Sequence, residues 1–168
     1  MKNKEKIYTI SSILLIFDQL VKMIVRIKLN LYEELTIIPN FFSIYYLKNK
    51  GAAFSLFTNH TIFLIIIGIV AIILLDRFIT KEKSLNNISK FSLGIIIGGI
   101  LGNLVDRIWH NAVIDYFSFT IFGYSFPVFN IADIGITIGA LILIITFIVE
   151  EINIRKEVKY DNKWWKWY

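Results

Sequence analysis

Two aspartates stand beside apolar segments of the chain, where an ionised carboxylate is costly. Asp115 follows the third apolar run, and Asp133 begins the fourth. Two carboxylates held close in a poorly solvated place cannot both ionise easily, so the pKa of one rises and the pair shares a proton. Such a pair can activate water for general acid-base hydrolysis of an amide. The alternative is that each aspartate only caps a helix, since the helix dipole favours an acid at the start.

Polar side chains near the two aspartates favour a catalytic site. Asn103 and Arg107 lie about one helical turn apart, and Asn130 precedes Asp133 by three positions. Arg107 can donate hydrogen bonds that position a substrate backbone, and asparagine offers both donors and acceptors. The competing interpretation makes Arg107 an interface residue that pairs with Asp106.

Two other polar positions call for a structural interpretation. Asp18 and Lys22 are spaced i and i+4 in the first apolar run, which predicts an ion pair that supports the fold. Asn49 is followed closely by Gly51, where the backbone can approach a neighbour. A tight turn and a contact with substrate both remain open for this stretch.

The composition indicates a membrane protein. Of 168 residues, 56% are hydrophobic and 18% are charged, and the net charge is +5. The basic residues gather between apolar runs and at both ends of the chain, so we expect no nucleic-acid partner. There are no cysteines, which excludes disulfides and a thiol nucleophile. His60 and His110 lack partners at zinc-site spacing, so we assign no metal and no cofactor.

Four apolar runs have the length of transmembrane helices. We therefore expect one integral-membrane domain over residues 1–168. Basic residues between the second and third runs, and in a basic Trp-rich tail over 150–168, place both termini in the cytoplasm. Trp164, Trp165 and Trp167 of that tail suggest an anchor at the membrane surface. The predicted helices cover about 7–27, 61–79, 91–108 and 131–149.

The two loops on the other face of the membrane have an extended character. Residues 109–130 alternate aromatic and β-branched side chains and turn at Gly123, and residues 28–60 are similar. Gly94 and Gly98 have a spacing that permits close helix packing in lipid. The sequence thus predicts a mainly α membrane protein of four transmembrane helices with a small β-rich extracytoplasmic cap.

Five blocks of the chain stand out by their order and spacing. They are FDQLVK at 17–22, NKGAAFS at 49–55, GGILGNLVDR at 98–107, AVIDYF at 112–117 and FPVFNIADIGITIG at 126–139. Together they resemble the bacterial lipoprotein signal peptidases, the type II signal peptidases, and the match covers nearly the whole chain from the first apolar run to the fourth. The resemblance implies a four-helix inner-membrane aspartic peptidase that removes signal peptides from prolipoproteins, cutting before a diacylglyceryl-modified cysteine.

The resemblance implies roles for particular residues. Asp115 and Asp133 match the catalytic pair. Four positions match residues that line the substrate site, and four match or adjoin residues that support the fold. The former are Asn49, Asn103, Arg107 and Asn130, and the latter are Asp18, Lys22, Gly51 and Asp106.

The resemblance also implies partners and a location. The partners are lipid-modified prolipoproteins and membrane lipids, and the protein is expected to be a monomer. Its place is the bacterial cytoplasmic membrane, with the active site on the extracytoplasmic side.

The chain departs from the family pattern at a few positions. Asn111 stands where the family usually has glycine, and asparagine also tolerates a left-handed backbone. Ile134 replaces a usual serine, and Val21 and Lys50 replace usual threonines. Neither aspartate is lost, so these differences bear on local hydrogen bonding and substrate preference.

Two functions of other classes remain open from the residues alone. A small transporter or channel subunit would line an ion path with the charged side chains. A non-enzymatic membrane scaffold would tolerate loss of Asp115. Accumulation of unprocessed prolipoprotein when the chain is disabled separates both from a peptidase.

Overall fold

The fold consists of four long helices and a small antiparallel sheet. The computed structural model describes residues 2–51, 60–82 and 84–164. Residues 52–55 of the second sequence block, together with Trp165, Trp167 and the side chain of Trp164, lie outside what is described. The helices are α1 (Lys2–Lys28), α2 (Thr61–Lys81), α3 (Asn87–His110) and α4 (Ile131–Trp164). The strands are β1 (Glu34–Ile38), β2 (Phe42–Asn49), β3 (Val113–Ile121) and β4 (Tyr124–Ser125).

Three helices in the described part of the chain are long and apolar enough to cross a membrane. They are α2, α3 and the part of α4 that ends at Val158. Helix α1, which carries Asp18, Lys22 and Arg26, is not among them. The last helix continues well past residue 149, so the first part of the basic tail is helical.

Helix α3 lies at the centre and packs closely on α1 and α4. A Cβ atom on Gly98 would stand 2.7 Å from the backbone oxygen of Ser11 in α1. A Cβ atom on Gly99 would collide with the backbone oxygen of Ala132 in α4. Gly94 also faces α1, so the predicted close packing at this glycine spacing is confirmed.

The four strands form one sheet in the order β1-β2-β3-β4, with antiparallel neighbours. Strands β3 and β4 are joined by Phe122 and Gly123, whose φ angles are 51° and 79°. Positive φ at both central residues is the geometry of a tight hairpin turn, and it confirms the predicted turn at Gly123. The predicted β-rich cap is therefore present as a small sheet.

Helix α3 leads into β3 through a left-handed cap. Asn111 has φ 52° and ψ 20°, and its backbone N–H donates to the backbone oxygen of Arg107 at 3.1 Å. Asparagine therefore takes the conformation that glycine usually supplies at a helix end. The turn lies four residues before Asp115, so it sets the path along which that aspartate enters the sheet.

One buried lysine holds the helices and the sheet together. The Lys22 ammonium lies 2.8 Å from a carboxylate oxygen of Asp18 and 2.8 Å from one of Asp106. It also donates to Asn103 at 3.1 Å, so all three of its N–H donors have acceptors. The predicted pairing of Asp18 with Lys22 is confirmed, and all three charged side chains are at most 1% exposed.

The two carboxylates of this network also bind backbone groups. Asp106 accepts from the N–H of Ile114 at 3.0 Å, and Asp18 accepts from the N–H of Ala132 at 3.0 Å. These bonds connect α1 with the start of α4, and α3 with β3. The side chain of Gln19 adds a third donor, to Asp106 at 3.0 Å. The network therefore fixes four elements relative to one another.

Replacing Lys22 by methionine should destabilise the protein by about 3–5 kcal/mol, because two carboxylates would remain buried without their cation. The free energy of unfolding in mixed micelles measures this loss. Lys4→Met is the matched control, since Lys4 pairs with Asp76 where both side chains are about 40% exposed. Its expected cost is about 1 kcal/mol or less. An equal, small effect of the two substitutions would contradict the role given to Lys22.

Candidate active site

Asp115 lies in β3 with its carboxylate held between two asparagines. One oxygen accepts from the side-chain amide of Asn130 at 2.6 Å, and the other accepts from that of Asn49 at 2.9 Å. Its side chain is 1% exposed. Because Asp115 lies within a strand and not at a helix end, the helix-cap alternative is wrong for this residue.

Asp133 lies in the first turn of α4 and is partly buried. Its carboxylate accepts from the Asn103 side chain at 2.7 Å and from the Asn130 backbone N–H at 3.2 Å. In return, the Asn130 side-chain oxygen accepts from the Asp133 N–H at 2.9 Å. This reciprocal pair of bonds is a capping box, so Asp133 does cap α4. In this position the Asp133 carboxylate lies beside the cavity described below.

Asn130 connects the two aspartates. The segment before α4 runs along β3, where the N–H of Phe117 donates to the backbone oxygen of Phe129 at 2.8 Å. This pairing brings Asn130 beside Asp115, while its position just before α4 brings it beside Asp133. Its amide also donates to the side-chain oxygen of Asn103 at 3.2 Å. The two carboxylates are therefore oriented by one shared residue.

The surroundings of Asp115 favour its protonated form. Burial is the largest cause that raises its pKa, and the negative charge of Asp133 raises it further. Hydrogen bonds from Asn49 and Asn130, and the charge of Lys22, act in the opposite direction. With all these causes together, the pKa of Asp115 is about 7. At neutral pH the pair can thus hold one proton, with one carboxyl able to donate and the other able to accept.

The aspartates open into a cavity of about 910 Å³. Its polar wall includes Asn49, Asn103 and Arg107 together with both aspartates. The remaining wall is mostly apolar and is formed by the cap and by the first two turns of α4. It includes Tyr32, Leu47, Val113, Val128, Phe129, Ile134 and Ile138. A cavity with a few convergent polar groups in an apolar wall is typical of a ligand site.

Arg107 and Asn49 form a turn at the cavity wall. The guanidinium of Arg107 donates to the backbone oxygen of Gly51 at 3.2 Å. The N–H of Gly51 donates to the side-chain oxygen of Asn49 at 2.9 Å. No ion pair joins Arg107 to Asp106 within the described residues, so the pairing expected by the alternative is wrong; Asp106 pairs with Lys22 instead. The tight turn at Asn49 is present, and the same side chain also binds Asp115. Contact of Asn49 with a substrate stays a prediction.

The predicted site residues lie either at the cavity and the aspartates or in the buried network beneath them. Six of them line the cavity, whereas Asn130 lies directly behind the aspartates. The six are Asp115, Asp133, Asn49, Asn103, Arg107 and Gly51. Asp18, Lys22 and Asp106 lie outside the cavity, in the buried network beneath it.

Sequence reasoning missed two polar residues near the site. Gln19 joins the buried network, and the hydroxyl of Tyr116 accepts from the N–H of Ile131 at 3.3 Å. Burial raises the pKa of Tyr116, so it stays a neutral phenol. Both residues stand beside predicted ones in the blocks FDQLVK and AVIDYF, which is the signal that would have found them. His110 lies beside Arg26, 2.8 Å from its guanidinium, and away from the aspartates.

No group of three or more histidine, cysteine or acidic side chains in the described ranges has the arrangement of a metal site. Besides apolar groups, the side chains around the aspartates include amides, one guanidinium and the ammonium groups of Lys48 and Lys50, which offer a metal few negative ligands. The local chemistry is that of a carboxyl pair.

Comparisons with known proteins agree with this geometry. The model of the Signal peptidase (SPase) II family matches residues 10–149. A lipoprotein signal peptidase of Staphylococcus epidermidis is 39% identical over 146 residues, which cover 87% of this chain and 91% of the relative. One of Clostridium tetani is 41% identical over 138 residues, covering 82% and 88%.

Solved structures share the fold. A bacterial membrane enzyme determined by the in meso method at 2.3 Å resolution has a TM-score of 0.80 and 34% identity, covering 86% of this chain and 88% of its own. A second, at 1.9 Å resolution, has a TM-score of 0.74 and 34% identity, covering 83% and 90%. The family match over residues 10–149 includes both aspartates and at least part of each of the four helices. The chain therefore belongs to the signal peptidase II family of bacterial membrane aspartic peptidases.

Proposed function

We propose that this protein is an aspartic endopeptidase that removes the signal peptide from diacylglyceryl-modified prolipoproteins, cutting before the lipidated cysteine. The observation that carries the proposal is the pair of carboxylates, Asp115 and Asp133, oriented by the same Asn130 at one large cavity. The relatives are lipoprotein signal peptidases, which supports the choice of substrate.

The reaction uses the pair as acid and base. The ionised carboxylate accepts a proton from a water molecule, whose oxygen attacks the scissile carbonyl carbon. The neutral carboxyl gives its proton to the carbonyl oxygen, and a tetrahedral intermediate forms. When the C–N bond breaks, the amine leaves with a proton and the other product is a carboxylic acid. The pair then returns to its singly protonated state.

The polar residues of the cavity hold the peptide around the scissile bond. Arg107 and Asn49 fix the turn at Gly51, whose backbone stands at the cavity wall and can pair with an extended substrate. Asn103 holds Asp133 and receives a hydrogen bond from Lys22. Side chains such as Val128, Ile134 and Ile138 offer an apolar surface for the lipid chains of the substrate.

Helix α1 acts as the fourth transmembrane helix. Its charged residues Asp18 and Lys22 are buried against α3, so they do not meet lipid. The opposite face of α1 is apolar and 47–71% exposed, as expected of a surface in contact with lipid. That face includes Ile13, Ile16, Leu20, Ile24 and Ile27.

The four-helix arrangement defines the topology of a single membrane domain. An even number of crossings places both termini on one side, and the basic residues near them assign that side to the cytoplasm. The aspartates and the sheet then lie on the extracytoplasmic side of the bacterial cytoplasmic membrane. We also expect the protein to act as a monomer.

Asp115→Asn and Asp133→Asn should each lower cleavage of a diacylglyceryl-modified prolipoprotein in detergent by about 10²–10⁴-fold, because the amide cannot transfer the proton. Asp76→Asn is the matched control and should cleave near the wild-type rate, since Asp76 lies on α2 far from the cavity. Near-normal cleavage by either cavity variant, with folding intact, contradicts the assignment of the pair.

The pH dependence follows from the raised pKa of Asp115, about 7. This carboxyl keeps its proton up to neutral pH and loses it as the pH rises through that value. Activity needs one proton in the pair, so kcat/KM should fall on the alkaline side with a midpoint near 7. Initial rates measured from pH 5 to 9 test this expectation. A profile that stays flat across that range would contradict the shared proton.

A further inference from the structure

A second cavity lies at the other end of the helices from the aspartate pair. It has a volume of about 280 Å³ and is bounded by the end of α2, the start of α3 and the later part of α4. Phe78 and Phe147 form an apolar side, and their rings lie 6.0 Å apart. Glu150, Glu151 and Ser89 contribute polar groups. None of these residues has a part in the reaction proposed above.

Ser89 is the most informative residue of this cavity. It is 1% exposed, and its hydroxyl oxygen is the one buried side-chain N or O atom in the described part of the chain that lacks a hydrogen-bond partner. Its backbone N–H is already taken by the Asn86 side chain at 2.7 Å. Buried hydroxyls are normally paired, so an unpaired one that lines a cavity is able to bind a polar group that enters it.

The neighbouring groups make the cavity rich in acceptors. Glu150 accepts from the side-chain amide of Asn86 at 2.7 Å, and Glu151 accepts from Arg155 at 2.8 Å where both side chains are more than half exposed. A carboxylate has about four lone-pair sites, so each retains acceptor capacity. The C-terminal end of α2 and the N-terminal end of α3 both border this cavity, so their opposite dipole ends offset each other and the carboxylates set its charge. The described acidic groups do not form a metal site, so an ammonium or guanidinium group fits better.

One face of α4 connects this cavity with the aspartates. Positions spaced by four and three residues share a face of a helix, and this face spans 18 residues, or about 27 Å at 1.5 Å per residue. Its middle is apolar and accessible, with Ile144 55% exposed and Phe147 37% exposed. The positions along the face are Asp133, Thr137, Ala140, Ile144, Phe147 and Glu151.

A secretory signal peptide has the matching pattern of charge and length. It carries a positively charged n-region followed by an apolar h-region of about 7–15 residues. As a helix, the h-region is about 10–22 Å long, and a few residues on either side cover the remaining distance. We propose that the second cavity binds a lysine or arginine of the substrate's n-region, while the h-region lies along this face of α4. The inference rests on the proposed function.

The test uses two synthetic lipidated signal peptides that differ only in their n-region, which carries two lysines in one and two glutamines in the other. The double variant Glu150→Gln/Glu151→Gln should raise KM for the lysine peptide by about three- to thirtyfold and leave kcat within about twofold. KM for the glutamine peptide should not change. Glu157→Gln is the matched control, because Glu157 is exposed on another face of α4 and should change neither value.

Ser89→Ala gives a second variant whose folding is not at risk, because it removes a hydroxyl that has no partner. It should raise KM for the lysine peptide by about two- to fivefold and leave its thermal stability equal to or above that of the wild type. A purely structural role of the cavity predicts equal KM changes for both peptides, or none. Either result overturns the inference.

Binding separates this inference from the proposed function. Dissociation constants of both peptides are measured with Asp115→Asn, which binds without cleaving. Tighter binding of the lysine peptide, lost when Glu150 and Glu151 are also replaced by glutamine, supports the n-region site. Equal dissociation constants for the two peptides contradict the n-region site and leave the proposed peptidase function untouched. Failure of the wild type to cleave either peptide contradicts the proposed peptidase, and the inference with it.

Discussion

The arrangement of this protein depends on one buried cation, Lys22. A lone ammonium inside a helical bundle would be very costly, and two carboxylates without it would be equally costly. Together with Asp18 and Asp106, at 2.8 Å each, it forms a network in which each charge has a partner and each carboxylate oxygen accepts at least one hydrogen bond. Such a network tolerates few alternative packings, because any shift would break several charge-assisted bonds at once.

The buried network contacts the candidate active site through hydrogen bonds to backbone N–H groups. Asp106 binds the N–H of Ile114, the residue directly before Asp115. Asp18 binds the N–H of Ala132, the residue directly before Asp133. The same three charges therefore set the backbone positions of both aspartates, while the asparagine side chains orient their carboxylates. This explains how a site can be rigid although its two acids come from a strand and a helix.

The sequence was sufficient for the parts of the fold that local patterns encode. Apolar runs of membrane length predicted all four helices, alternation and Gly123 predicted the sheet, and i,i+4 spacing predicted the pair of Asp18 with Lys22. Position beside apolar runs singled out both aspartates, and the structure brings them to one cavity. Whether α1 crosses the membrane stays a prediction, because α1 is not among the three described helices that are long and apolar enough to do so.

Contacts between distant parts of the chain were beyond sequence reasoning. Arg107 binds Gly51, 56 positions away, and not its neighbour Asp106. Gln19 binds Asp106 across 87 positions, and although Gln19 stands in the block FDQLVK, that block does not indicate which residue it binds. The end of α4 was also placed too early, since its polar residues after 149 end the apolar run but not the helix. Hydropathy marks where lipid contact stops, and helix propensity continues independently of it.

The central claim is that Asp115 and Asp133 share one proton at neutral pH. Infrared spectroscopy of protein labelled at its aspartate carboxyl carbons measures this directly, from the difference between wild type and Asp115→Asn. The account predicts one protonated carboxyl at pH 6 that is absent from the variant and that titrates in the wild type with a pKa near 7. If the same spectra show both carboxylates ionised at pH 6, the pair does not hold a shared proton and the acid-base mechanism is wrong.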